Sequence, residues 1–200
     1  YRDPIANVGK LENYTVAELA SLIYSENLLE ATLGLAAINS TIEIDSALCA
    51  QENAFKTIAK FGQNKNIGII GHFPFVSRLR DIAKNLWVLE LVPRPGDMPA
   101  ENASELLPKC DVVGITATTL INHSFEAVMD HCKKDALKIM IGPSTPMTPL
   151  LFDYDIDVLA GTKVLNSNTV LKQIQQGANF RQFSDIEVLT YQRPNFGVKV

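Results

Sequence analysis

The run Asn66-Ile67-Gly68-Ile69-Ile70, followed directly by Gly71-His72-Phe73-Pro74-Phe75, decides the fold. A short, nearly continuous apolar run bounded by a glycine and a proline reads as a strand buried on both faces. Beyond Pro74, Phe75, Leu79, Ile82 and Leu86 recur every three or four residues, the spacing of a helix that begins at the proline. Further strand-like runs follow at Leu86–Leu91, Asp111–Ile115, Lys138–Ile141 and Ile156–Ala160. Between them, Phe125, Val128, Met129 and Cys132 mark one helix, and Val170, Leu171 and Ile174 mark another. Asn122 or Ser124 would cap the first, and Asn166 or Ser167 the second. Strands alternating with helices predict βαβ units and a mostly parallel, Rossmann-like sheet with helices on both faces, spanning residues 61–200. Glu187–Tyr191 is expected to add an edge strand.

Residues 1–60 read as a separate, mainly helical segment. Thr15 caps a helix carrying Val16, Leu19, Ala20 and Ile23, and a second helix is expected from Leu28 to Leu48. The small-residue stretch from Gly34 to Ser40 lets another backbone approach closely, so this second helix is expected to be buried. The chain begins with Tyr rather than Met, so the N-terminal region is read as incomplete.

Composition excludes several classes. A net charge of −4 provides no basic footprint for nucleic acid. No apolar run approaches the ~20 residues that span a bilayer. Three cysteines, Cys49, Cys110 and Cys132, are odd in number and widely spaced, which predicts reduced thiols and a cytoplasmic protein. G-x-S-x-G, Walker A and H-E-x-x-H motifs do not occur.

In open parallel sheets, ligands bind beyond the carboxyl ends of the strands. Four loops there differ from the opposite edge, which carries Lys84, Lys133, Lys134 and Asp135. They hold Gly71-His72-Phe73, the stretch from Thr116 to His123, Gly142-Pro143-Ser144-Thr145, and Gly161-Thr162-Lys163. His72 and His123 are candidate metal ligands or acid–base groups, and Lys163 is a third candidate for catalysis or charge neutralisation. Thr116, Thr118, Thr119, Asn122, Ser144 and Thr145 are candidates to hold ligand oxygens, with turn closure and helix capping as the competing roles. The uncapped helix start near Pro74 would offer N–H groups to an anion, as would the N-terminus of the helix that Ser144 and Thr145 are expected to cap. Glu90 stands 19 positions after Gly71, close to the spacing at which dinucleotide folds hold a ribose hydroxyl. Phe73 and Pro74 would obstruct a pyrophosphate, so adenosine or S-adenosylmethionine binding is the alternative and an ordinary NAD site is not expected. His131 reads as surface.

Five segments carry a family resemblance: Gly71–Phe75, Gly114–Asn122, Gly142–Met147, Asp157–Gly161 and Gly34–Asn39. Together they resemble the putative heavy-metal chelation domain family. The resemblance implies a C-terminal Rossmann-like domain joined to a small α+β domain similar to the N-terminal domain of enolase, here partly truncated because its opening β-meander is not evident. It also implies an interdomain cleft into which Asn39 faces, opposite His72, Thr116, Thr118, Asn122 and Ser144. The expected ligand is a small anionic molecule, a metal-chelate, or a divalent or heavy-metal ion, with an enzyme acting on the chelator as one form of that function. A nucleotide or S-adenosylmethionine-type transferase is the second reading, and a non-enzymatic, homo-oligomer-forming domain the third.

Overall fold

The computed structural model describes residues 4–194. The strands are β1 (Cys49–Ala50), β2 (Asn66–Ile70), β3 (Asn85–Glu90), β4 (Met98–Pro99), β5 (Val112–Thr116), β6 (Leu137–Ile141), β7 (Val158–Val164) and β8 (Ile186–Gln192). The helices are α1 (Val16–Ser21), α2 (Leu28–Ser40), α3 (Ala54–Gly62), α4 (Val76–Leu79), α5 (Ala103–Leu106), α6 (Phe125–His131) and α7 (Ser167–Gln175).

All eight strands join one sheet, in the order β1-β8-β7-β6-β5-β2-β3-β4. Pairing is parallel from β4 through to β7, and β8 closes that side antiparallel to β7 and β1. The parallel part follows the doubly wound Rossmann order, in which the chain steps outward through β2, β3 and β4 and then returns to place β5 on the other side of β2. The two βαβ progressions therefore diverge between β2 and β5, leaving a crevice at their carboxyl ends.

Side-chain alternation explains the two covered faces. Ile67 and Ile69 of β2, Val112 of β5 and Ile139 of β6 pack with Ile58 of α3 and Val76 and Leu79 of α4. Val113, Ile115 and Met140 point the other way, against Leu107, Phe125 and Val128. Gly68 permits that second layer, because a Cβ there would lie 2.8 Å from Cys110 Sγ.

The helix expected from Pro74 is a single turn, Val76–Leu79, because the chain turns at residues 80–82 to enter β3, which takes Leu86 into the sheet opposite Ile67; Phe73 and Phe75, on either side of Pro74, stack with ring centroids 5.3 Å apart. Likewise α2 stops at Ser40 rather than Leu48, and α3 is an element that the reading of residues 1–60 did not include. Thr15 forms a capping box with Glu18, and Asn166 caps α7 by accepting from Thr169 N. The close approach expected of α2 is present. A Cβ on Gly34 would run into Ile23 N, so α2 rests directly on the backbone of the 3₁₀ turn Leu22–Tyr24. Cys49, Cys110 and Cys132 are free thiols. Among the described residues no helix is long and apolar enough to cross a membrane.

Candidate functional site

The carboxyl edge of the sheet carries two separate cavities. The first, of about 400 Å³, occupies the crevice between β2 and β5 and is walled by Gly71, His72, Phe73, Glu90, Thr116, Thr118, Thr119, Asn122 and His131. The second, of about 860 Å³, lies between α2 and the loops after β6 and within β7, walled by Asn39, Pro143, Ser144, Thr145, Thr162 and Lys163. The sequence-selected residues thus divide into two groups. The 117–123 stretch runs between them, presenting Thr118 and Asn122 to the crevice and Ile121 to the larger cavity.

In the crevice, Gly71 turns the chain with φ +98°, a conformation that favours glycine, and a Cβ there would sit 3.1 Å from Thr116 Cβ. That turn sets His72 beside Asp97. His72 Nδ1 lies 2.9 Å from Asp97 Oδ2 and 3.1 Å from Oδ1, with the carboxylate only 1% exposed. Asp97 Oδ2 also accepts from Arg94 N, which fixes the carboxylate inside the proline-rich loop. In the neutral ring that donates Nδ1–H to Asp97, the lone pair is on Nε2, which has no hydrogen-bond partner among the described residues. A carboxylate-oriented imidazole is the arrangement that fixes a metal-ligating or proton-accepting nitrogen.

Glu90 braces the end of β2 from the end of β3. Oε1 accepts from His72 N at 2.7 Å and so ties down the loop that carries His72, while Oε2 accepts from the N–H of the next residue, Leu91, at 3.2 Å. Thr116 Oγ1 accepts from Thr118 N and shares a hydrogen bond with Thr118 Oγ1, while Thr119 Oγ1 donates to Thr116 O. Asn122 Oδ1 accepts from both the N–H and the hydroxyl of Ser124. These groups shape the turn first and offer only their remaining hydrogen-bonding capacity to a ligand.

At the two expected helix starts, N–H groups are used by the turns themselves. Val76 N–H is taken by Phe73 O, and Thr145 N–H by Gly142 O. The turn after β6 is instead followed by a 3₁₀ segment, Pro149–Tyr154, capped by Thr148. His123 sits apart from both cavities. It is exposed, has φ +57°, and its Nε2 donates to Ser25 O at 3.1 Å, linking the α6 corner to the N-terminal helices. His131, in contrast, faces the crevice across from the β2 loop. The signal for it was its three-residue spacing from Val128, another crevice residue on the same helical face. Asp97 gave no comparable signal, since only the folding of the Pro93–Pro99 loop brings it to His72.

In the larger cavity, Asn39 Nδ2 donates to Ser144 O at 2.8 Å. Lys163 Nζ donates to Ile44 O at 2.9 Å and Ser46 Oγ at 3.0 Å, and Ser46 Oγ in turn donates to Glu187. Gly161 allows β7 to pass close under Met147, where a Cβ would lie 2.7 Å from Sδ. Among the described residues, no group of three or more His, Cys, Asp and Glu side chains is placed to hold a metal ion.

A mostly parallel, Rossmann-ordered sheet with cavities at its carboxyl edge defines the class of the fold as α/β. The chain belongs to the DUF364 family, described as putative heavy-metal chelation, which matches residues 53–192. Residues 1–42 match DUF4213, a family with the same description. An uncharacterized protein of Methanocaldococcus jannaschii is 30% identical over 166 residues, covering 80% of this chain and 64% of that protein, so the chain spans less than two thirds of this curated relative. The crystal structure of a DUF364-family protein of unknown function from Desulfitobacterium hafniense DCB-2 superposes with a TM-score of 0.83 at 23% identity, covering 96% of this chain and 81% of that one. Another from Pyrococcus horikoshii gives 0.80 at 25% identity, covering 96% and 78%. These likenesses establish the fold.

Proposed function

We propose that this protein binds a small anionic chelator together with its metal, using the crevice between β2 and β5, within a cleft that α2 extends along the sheet edge. The observation that carries the reading is the His72 imidazole, held by buried Asp97 with Nε2 unpartnered in the crevice wall. One protein nitrogen is too few for a bare ion, since stable sites use three or four ligands. The residues therefore fit a complex in which the chelator supplies most donors and His72 takes a remaining coordination position. Hydroxyls of Thr116 and Thr118 are placed to bond the chelator's oxygens. The same lone pair is suited to accept a proton from a bound chelator, which is the form an enzymatic activity would take.

The alternative, nucleotide reading rests on Glu90, whose two oxygens each accept one N–H, from His72 and Leu91, and each keep a further lone pair. The test is calorimetry on metal-free protein with nickel citrate, free nickel and free citrate. Nickel citrate is expected to bind more tightly than either component. His72→Asn, which keeps a donor toward Asp97 and removes Nε2, is expected to abolish that preference. Equal binding of nickel citrate by wild type and His72→Asn would refute the proposal.

A further inference from the structure

One row of residues along α6 lines the His72 crevice: Ser124 at the N-cap, then Ala127, Val128 and His131. Spacings of three, four and seven residues place them on one side of a helix. The helix starts at the carboxyl edge of the sheet and runs back toward the amino edge, where Lys133 Nζ meets Asp111 beside the start of β5 at 3.0 Å. Seven residues at the helical rise put His131 about 10 Å along the crevice from Ser124. The facing wall is Ala100 and Ala103, at the start of α5. Methyl side chains on both walls leave a groove between α5 and α6 that continues the crevice away from His72. The polar lining, with Thr116, Thr118 and Asn122, belongs to the carboxyl end. Farther along, the walls are apolar until His131, which is half-buried and has no hydrogen bond or ion pair among the described residues.

We infer that the crevice selects an amphipathic chelator: a metal-binding head at His72, and an uncharged apolar arm about 10 Å long lying between α5 and α6, with a terminal hydroxyl at His131. The inference rests on the crevice reading for the head and adds the arm. A compact chelate such as citrate would leave water over Ala100, Ala103, Ala127 and Val128, whereas an apolar arm removes that surface from water. Charge on the arm is disfavoured, because no ion pair waits for it in the far half of the groove. A hydroxyl suits His131 in either tautomer, since a neutral imidazole and a hydroxyl can each donate and accept. His131 is then a specificity residue that touches the ligand well away from the metal.

The probes are the one-to-one nickel complexes of malonate, hexylmalonate and (6-hydroxyhexyl)malonate, which share a chelating head and differ only in the arm. Calorimetry is expected to show the hexylmalonate complex binding about tenfold or more tightly than the malonate complex, since each buried methylene is worth about fourfold. The hydroxyl-terminated complex should gain a further factor of about two to ten, the scale of one neutral hydrogen bond. Ala127 is exposed and leucine is a good helix former, so Ala127→Leu is expected to fold normally, fill the groove and cancel the gain from the arm. Nickel citrate binding should be unchanged in that variant. His131→Leu is expected to keep the hexyl gain and lose the hydroxyl preference. Equal binding of the malonate and hexylmalonate complexes, an arm effect that survives Ala127→Leu, or a hydroxyl preference that survives His131→Leu would overturn the inference and leave the crevice reading standing. Failure of the crevice reading has a separate signature, nickel citrate binding that His72→Asn does not alter.

Discussion

The imidazole of His72 and the carboxylate of Asp97 meet at 2.9 Å across the crevice loop, with the aspartate side chain 1% exposed and the histidine 25% exposed. They lie 25 positions apart, on the β2 exit and the proline-rich connection after β3. Burial of the carboxylate and openness of the ring give the pair a direction: Asp97 sets the tautomer, and the far nitrogen faces outward.

Substituting Asp97→Asn should reverse that tautomer. The introduced amide can accept from Arg94 N with its oxygen and then presents an NH₂ to Nδ1, which moves the ring proton to Nε2. The expected result is a loss of nickel citrate affinity of about 10–100-fold, as for other partners that orient a ligating histidine. Calorimetry checks the affinity, and a retained circular dichroism spectrum separates this from unfolding. Unchanged affinity would show that the tautomer is irrelevant.

Gly34→Ala is expected to destabilise the protein by about 1–3 kcal/mol, the usual range for overpacking. The new methyl group would meet the Ile23 backbone, which cannot rotate away as a side chain would. A lowered urea midpoint with unchanged slope is the expected readout, and Thr32→Ala on the exposed face of α2 serves as the control.

The buried Lys138 ammonium donates to Asp155 Oδ2 at 2.8 Å and to the carbonyls of Lys134 and Ala136. Asp155 has φ +63°, which asparagine tolerates, so Asp155→Asn tests charge with little added backbone strain. A cost of about 1–3 kcal/mol is expected in urea denaturation, because a 2%-exposed ammonium loses its countercharge. The exposed Asp135→Asn should change little.

Burial pushes the thiol of Cys110 up to about 12 and that of Cys132 up to about 11, from an ordinary value of about 8.5. The unfolded chain then releases these protons at lower pH than the folded protein, so stability is present below about pH 8.5 and declines as pH rises toward 11. Urea midpoints across the alkaline range should fall, with a shallower fall in a Cys110→Ala/Cys132→Ala variant. In the native state at neutral pH, a thiol reagent should modify fully buried Cys110 only through opening of the structure, and partly buried Cys132 sooner.

Local chemistry made much of the fold legible. The β2 strand Asn66–Ile70 coincides with its apolar run, and the Thr15 and Asn166 caps hold, because strand burial and capping depend on residues a few positions apart. The short α4 departed from its periodic pattern because Leu86, the last residue of that pattern, is claimed by β3, where it pairs with Ile67 of β2. Lys138 also runs against the pattern: a lysine at the start of a core strand is accommodated because Asp155 and two carbonyls converge on it.

The sequence alone determined which sheet edge carries the cavities of about 400 and 860 Å³, since glycine, threonine and histidine at strand exits follow from a periodic pattern along the chain. Only the tertiary structure decided that this edge holds two cavities rather than one, that His72 pairs with Asp97, that His131 joins the crevice and that His123 leaves it. Those outcomes depend on where separate loops and helices come to rest. Hydrogen bonds form over about 3 Å, and no spacing along the chain encodes which distant groups will meet at that range.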